Sequence, residues 1–288
     1  MKARDLIETV YYRSLHPLGN IRQGENIFDS DWDVCIILDA CRADLLEEVA
    51  DEYSFLSEST RKVSVDSKTD AWVRKTFSQA NSHSLGNVSY ITANPFSQEI
   101  SDESILQSID HVWKYGWDDE LGTVPPRVVT DRTISTFRDE NPESLLIHYL
   151  QPHVPFIPWD QNTPLGRGNF GLNGSGVDDT WQRLRDSKIS VADAWHGYRE
   201  NLRYVLDEIN VLLNNIDANR VIITSDHGNG IGEWGIYGHP IHMPFNCVRV
   251  VPWVTTEAND HSKHSPKDHQ TQSEVDITEK LAALGYIE

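Results

Sequence analysis

Apolar and polar positions fall into two regimes along this chain. VCIILDA (residues 34–40), SLLIHYL (144–150) and RVIIT (220–224) are short, nearly continuous apolar runs. Such runs suit strands covered on both faces, which have no solvent side to force alternation. Before the third run, Val191, Trp195, Tyr198, Leu202, Val205, Ile209, Leu212 and Ile216 recur at spacings of three and four. Arg199, Glu200, Arg203 and Glu208 lie off that stripe, so the pattern predicts an amphipathic helix over 191–216. Shorter helices are predicted over 44–53 and from Thr69 onward, the latter with Trp72, Val73 and Phe77 on one side. Strands alternating with helices predict an α/β fold, a central and mostly parallel sheet flanked by helices.

With 288 residues and no internal repeat, the chain fits one large domain. We expect that domain over 1–254, followed by a polar connector over 255–288 that closes in a short amphipathic helix, ITEKLAALGYIE, packed on the same domain. The connector's histidines read as solvated side chains rather than metal ligands. Residues 160–176 are rich in glycine and asparagine, as a flap near a site would be.

Composition narrows the partners. Aspartate and glutamate number 44 against 25 lysines and arginines, a formal charge of -19. That charge repels nucleic acid and anionic membrane surfaces, so neither is an expected partner, and its even spread suits a solvated surface in high salt. No apolar run reaches the ~18–20 residues of a membrane span. The N-terminal stretch has early acidic residues and no small-residue cleavage site, so no signal peptide is read there and a cytoplasmic setting is expected. Three cysteines (Cys35, Cys41 and Cys247) without CxxC spacing predict neither a disulfide framework nor a structural zinc site.

The chemistry sits where the predicted strands stop. Asp39 follows the first, His153 the second, and Asp226 and His227 the third, with His239 beyond a glycine-rich loop. In open α/β sheets ligands bind beyond the carboxyl ends of the strands. One such residue reads as a cap or turn; carboxylates and imidazoles at three strand ends read as a divalent metal site. Zinc or manganese suits that donor mixture best, with magnesium or calcium as alternatives.

These motifs resemble a known family. TSDHGNGIGEWGIYGHP (224–240) is similar to the TSDHGE…GE…GH segment of the alkaline phosphatase superfamily, closest to its sulfatase, phosphonate hydrolase and phosphoethanolamine transferase branches. LDACRADLL (38–46) resembles the family's first metal-binding strand, and LQPHVPFIP (150–158) its substrate-facing histidine segment. The resemblance implies Asp39, Asp226 and His227 as metal ligands, and His153 and His239 at the substrate or at a second ion. The closing LAALGY also resembles a common sulfatase ending.

The family needs a nucleophile. Cys41 lacks the CxPxR motif of sulfatases and comes only two residues after Asp39, leaving a packing role as its alternative. SVDSKTDAWVRKTF (64–77) offers Ser67 and Thr69 before a helix, whose N-terminal N–H groups favour an incoming anion. Either hydroxyl could instead cap that helix. The resemblance favours Thr69, at once nucleophile and fourth ligand, with Lys68 against the substrate anion.

Departures from the family pattern temper what it implies. Asn229 stands where DHGE has a carboxylate, and Tyr149 where a two-zinc branch has aspartate, so one tightly held ion is expected and a second is in doubt. Glu233 keeps the GE position, a place for orienting a loop. The function implied is metal-dependent hydrolysis of a small phosphate or sulfate ester, glycan-linked esters included. The alternatives are transfer of a phospho-group to a glycan or lipid headgroup, and a catalytically silent metal-stabilised binding protein.

Overall fold

A computed structural model describes residues 3–80, 85–158 and 180–269. Its strands are β1 (Val34–Leu38), β2 (Ser59–Val63), β3 (Val88–Thr92), β4 (Ser108–His111), β5 (Ser144–Tyr149), β6 (Ala218–Thr224), the short β7 (Gly230–Ile231) and β8 (Tyr237–Gly238), and β9 (Val250–Ala258). Seven of them form one sheet in the order β2-β9-β6-β1-β5-β3-β4. β9 runs antiparallel to both neighbours, and the pairs on the other side of β6 are parallel.

The three predicted strands form the centre. Val34 of β1 is in register with Leu145 of β5 on one side and Val221 of β6 on the other. All five β1 residues are buried, as a continuous apolar run requires. Because β5, β1 and β6 are adjacent and parallel, their carboxyl ends open at one edge.

The helices are α1 (Ala3–Ile21), α2 (Ala43–Val49), α3 (Thr69–Gln79), α4 (Pro126–Glu140), α5 (Thr180–Arg185), α6 (Val191–Leu213) and the single turn α7 (Asn246–Arg249). Ser190 caps α6 by accepting from Asp193 N, and Tyr198, Leu202, Val205, Ile209 and Leu212 of its stripe are fully buried. Glu208 departs from the reading: it is buried beside Leu212 and paired with Arg127 of α4, Oε2 to Nε 2.7 Å. Most buried apolar residues form one continuous core, and a smaller cluster of Ile236, Met243 and Val248 lies under α1.

Two sequence expectations need adjusting. β9 continues to Ala258, so residues 255–258 belong to the sheet rather than to a connector. The histidines beyond it are anchored as well. His264 Nε2 lies 2.5 Å and His269 Nε2 2.8 Å from the carboxylate of Asp131, a fully buried residue of α4. All three cysteines are free, as expected. Residues 160–176 and the closing segment ITEKLAALGYIE lie outside the described residues.

Candidate metal centre and active site

The edge where β1, β5 and β6 end collects the predicted residues. Asp39, the residue after β1, is tied to the next strand: its N–H donates to Tyr149 O (3.1 Å) and its carbonyl accepts from His153 N (3.1 Å). The chain then turns through Ala40 at φ 62, which lets Ala40 N donate to Asp226 Oδ1 at 2.9 Å. Asp226 therefore holds the turn that carries Asp39.

Asp39, Asp226 and His227 are all fully buried, and one donor atom from each lies within 4.8 Å of the others. The His227 tautomer follows from its contacts. Nδ1 lies 2.9 Å from the Gly228 carbonyl, which only accepts, so Nδ1 carries the hydrogen and Nε2 presents its lone pair. That Nε2 lies 3.3 Å from Asp226 Oδ2, 3.8 Å from Asp39 Oδ1 and 3.0 Å from Thr69 Oγ1. Thr69, the first residue of α3 and fully buried, donates to Asp226 Oδ2 at 2.8 Å. Burial works to raise the Asp226 pKa, but His227, His148, the Ala40 N–H and the Thr69 hydroxyl together hold it below the usual carboxylate value.

Two buried carboxylates this close are unfavourable without a cation between them, and an imidazole lone pair completes the set. The residues fit a divalent ion with mixed oxygen and nitrogen ligands. Among the described residues this is the one such group.

His153 and His239 stand beside it. Their Nε2 atoms are 3.0 Å apart, and His239 stacks on His227 with ring centroids 4.5 Å apart. His153 Nδ1 donates to the Val154 carbonyl, which leaves its Nε2 as an acceptor. Burial pushes the His153 pKa down to about 4. Burial, His227, His153 and Lys68 push His239 well below its ordinary value. Both rings are thus neutral near pH 7. Lys68, half-buried at the N-cap of α3, makes no side-chain cap bond and lies close enough to act on His239.

Ser67 has a different place. Its hydroxyl donates to Pro240 O (2.6 Å) and accepts from Met243 N (2.8 Å), so it stitches the α3 loop to the segment after His239. Asp66, fully buried, does the same through Lys75 Nζ (2.6 Å), His242 Nδ1 (2.7 Å) and His242 N (3.0 Å). Cys41 is fully buried, and burial raises its thiol pKa well above the ordinary value, so it stays a thiol.

The departures from the motif also have structural counterparts. Tyr149 points its hydroxyl to Thr130 of α4 at 2.9 Å and offers the site no carboxylate. Glu233 accepts from Arg42 Nη1 (2.6 Å) and Ile231 N (2.7 Å), which orients the glycine loop. Asn229 is fully buried, its carbonyl accepting from Arg42 at 2.9 Å.

Several residues of the site were not anticipated. Asn94, two residues after β3, donates Nδ2 to Asp39 Oδ2 at 2.6 Å while its own Oδ1 accepts from Phe96 N. Asn201 of α6 donates to the carbonyls of Pro152 (3.1 Å) and His153 (2.9 Å), pinning the His153 loop. Ser64 donates to the Asp226 carbonyl. His148 is buried under Trp72, with Nδ1 2.9 Å from the Tyr90 hydroxyl.

No family model and no curated protein matches the sequence. Solved structures do match in fold. The soluble domain of lipooligosaccharide phosphoethanolamine transferase A from Neisseria meningitidis aligns over 88% of this chain and 84% of its own, with TM-score 0.52 and 12% identity. The integral membrane protein of that name from the same organism aligns over 99% of this chain with TM-score 0.53 and 13% identity; this chain spans 60% of its length. This chain therefore shares its fold with phosphoethanolamine transferase structures, one of the three branches that its motifs resemble.

Proposed function

We propose that this protein is a metal-dependent hydrolase of phosphate or sulfate esters with Thr69 as nucleophile. The observation that carries the reading is the buried contact of Thr69 Oγ1 with Asp226 Oδ2 and His227 Nε2. Asp39, Asp226, His227 and Thr69 are the ligand set, with Zn²⁺ or Mn²⁺ preferred over Mg²⁺ or Ca²⁺. When bound, such an ion lowers the pKa of a ligating hydroxyl and offsets charge on the ester oxygens. Asp226 Oδ2 accepts the Thr69 hydrogen and holds Oγ1 in line for attack. The N–H groups that open α3 and the Lys68 ammonium receive the non-bridging oxygens. The bond from Oγ1 to phosphorus or sulfur forms as the bond to the ester oxygen breaks, and that oxygen leaves toward the neutral His153–His239 pair and takes a proton from water. Water then releases the threonine ester.

A second reading replaces water by an acceptor alcohol. It is favoured by the transferase names of the two structures of like fold, and its substrates would be glycan or lipid headgroups. The test is a panel of chromogenic phosphate and sulfate esters with each of the four ions, in dilute and in molar salt. We expect ion-dependent turnover that Thr69→Ala abolishes. No turnover on any ester, with any ion, in either salt contradicts the hydrolase.

A further inference from the structure

Five of the eleven residues from Gly228 to Gly238 are glycine, so few side chains fix the loop that separates His227 from His239. The loop closes on itself as a hairpin: β7 pairs with β8, and Gly232 N donates to Ile236 O at 2.8 Å. One side of the hairpin is tied to α1, where Tyr11 and Tyr12 donate to the carbonyls of Trp234 (2.9 Å) and Gly235 (3.2 Å). Another side meets Arg42.

Arg42 is buried three residues after Asp39, at the N-cap of α2. Its Nη1 donates to the Asn229 carbonyl at 2.9 Å and to Glu233 Oε1 at 2.6 Å. Nε and Nη2 donate to Asp44 Oδ1 (2.8 Å) and Oδ2 (2.7 Å), a bidentate pair that sets the plane of the guanidinium. Trp195 of α6 backs the group, with its ring centroid 5.0 Å from Cζ. The aliphatic stem is in contact as well. A Cβ at Gly228 would lie 3.1 Å from Arg42 Cγ and 2.4 Å from the Cys247 carbonyl, so the residue after His227 is seated against Arg42.

None of these atoms is a metal donor, yet they join the segments that carry the donors. Ala40 N already ties the turn after Asp39 to the Asp226 carboxylate. Arg42 extends that tie to the loop beyond His227. The Gly228 carbonyl, which keeps the hydrogen on His227 Nδ1, lies inside the clamped stretch.

We propose that Arg42 is a positioning residue of the metal centre: it holds the glycine hairpin against the Asp39 turn and so fixes His227 relative to Asp39. The proposal rests on Asp39, Asp226 and His227 as the ligand set and is independent of the ester consumed. Three partners in different directions need the fixed fork of a guanidinium; an ammonium on a flexible stem has no such plane.

The test is calorimetric titration of the metal-stripped full chain with Zn²⁺ and with Mn²⁺. Arg42→Met should bind at least about tenfold more weakly than the native chain. Glu233→Ala, which removes the hairpin end of the clamp, should bind several-fold more weakly. Because both act through one clamp, the double variant should lie within about twofold of Arg42→Met. Arg42→Lys should recover only part of the loss. Arg61→Met should bind as the native chain does, since Arg61 lines the same small cavity as Arg42 but pairs with Glu47. Circular dichroism and thermal melting check that each variant is folded. Native affinity in folded Arg42→Met, full recovery in Arg42→Lys, or losses that add in the double variant overturn the proposal. If Arg42→Met does not fold, native affinity in Glu233→Ala overturns it. A native chain that binds neither ion contradicts the ligand set and the proposal with it, whereas tight binding indifferent to Arg42 contradicts the proposal alone.

Discussion

Thr69 Oγ1 lies 3.0 Å from Nε2 of His227, the first residue of a helix against a residue just past the end of a strand. The contact depends on the Gly228 carbonyl, which keeps the hydrogen on Nδ1 and the lone pair on Nε2. Thr69→Ala should lower kcat by roughly 10³-fold or more while metal affinity changes only several-fold, because the carboxylates and imidazole remain. Thr69→Ser should keep measurable turnover. Steady-state kinetics with calorimetric metal titration separates the two quantities.

Asn94 fixes the rotation of the Asp39 carboxylate at 2.6 Å without being a ligand itself. Its removal should weaken metal binding by about 10–100-fold, the usual cost of losing a ligand's orienting partner. Isothermal titration of Asn94→Ala with Zn²⁺ and Mn²⁺ reads this directly, and an unchanged affinity would exclude the positioning role.

Ser67 and Thr69 are two residues apart, yet their substitutions should behave differently. Ser67→Ala loses the bonds to Pro240 and Met243, leaving the buried Met243 N–H unpaired, and should cost about 1–3 kcal/mol of stability. Its effect on kcat should be far smaller than that of Thr69→Ala. Urea denaturation beside kinetics distinguishes a stitch from a nucleophile.

His148 supplies a pH signature. Burial pushes its pKa down to about 4, below the 6.5 of an unperturbed histidine. The unfolded chain takes up that proton first, so the metal-free protein loses stability as pH falls from about 6.5 toward 4. Below both values the loss is complete and constant. His148→Phe should be less stable at pH 7 by about 1–3 kcal/mol, since the Tyr90 hydroxyl loses its partner. Its decline between pH 7 and 4 should nonetheless be shallower, which denaturation at a series of pH values will show.

How much of this was legible in the sequence depended on burial. β1, β5 and β6 lie at the centre of the sheet and announce themselves as continuous apolar runs. β2 reads STRKV, a half-exposed edge strand without such a run, and β9 carries Pro252, which demotes a strand pattern. Asp39, Asp226 and His227 were visible because each lies within three residues of the end of a central strand. Asn94 was not, although VSYIT (Val88–Thr92) is itself a short buried strand and its end could have been searched in the same way. The anchoring of His264 and His269 was out of reach, because their partner Asp131 lies on a helix more than a hundred residues away. Sequence spacing carries no trace of such a contact.

The most direct measurement is the intact mass of the protein quenched in acid during turnover of a chromogenic phosphate ester with Zn²⁺ or Mn²⁺, followed by peptide mapping. The account predicts the added mass of one phosphoryl group on Thr69, absent from Thr69→Ala and absent without the ion. Turnover without an adduct, or an adduct on Ser67, Cys41 or another residue, would contradict it.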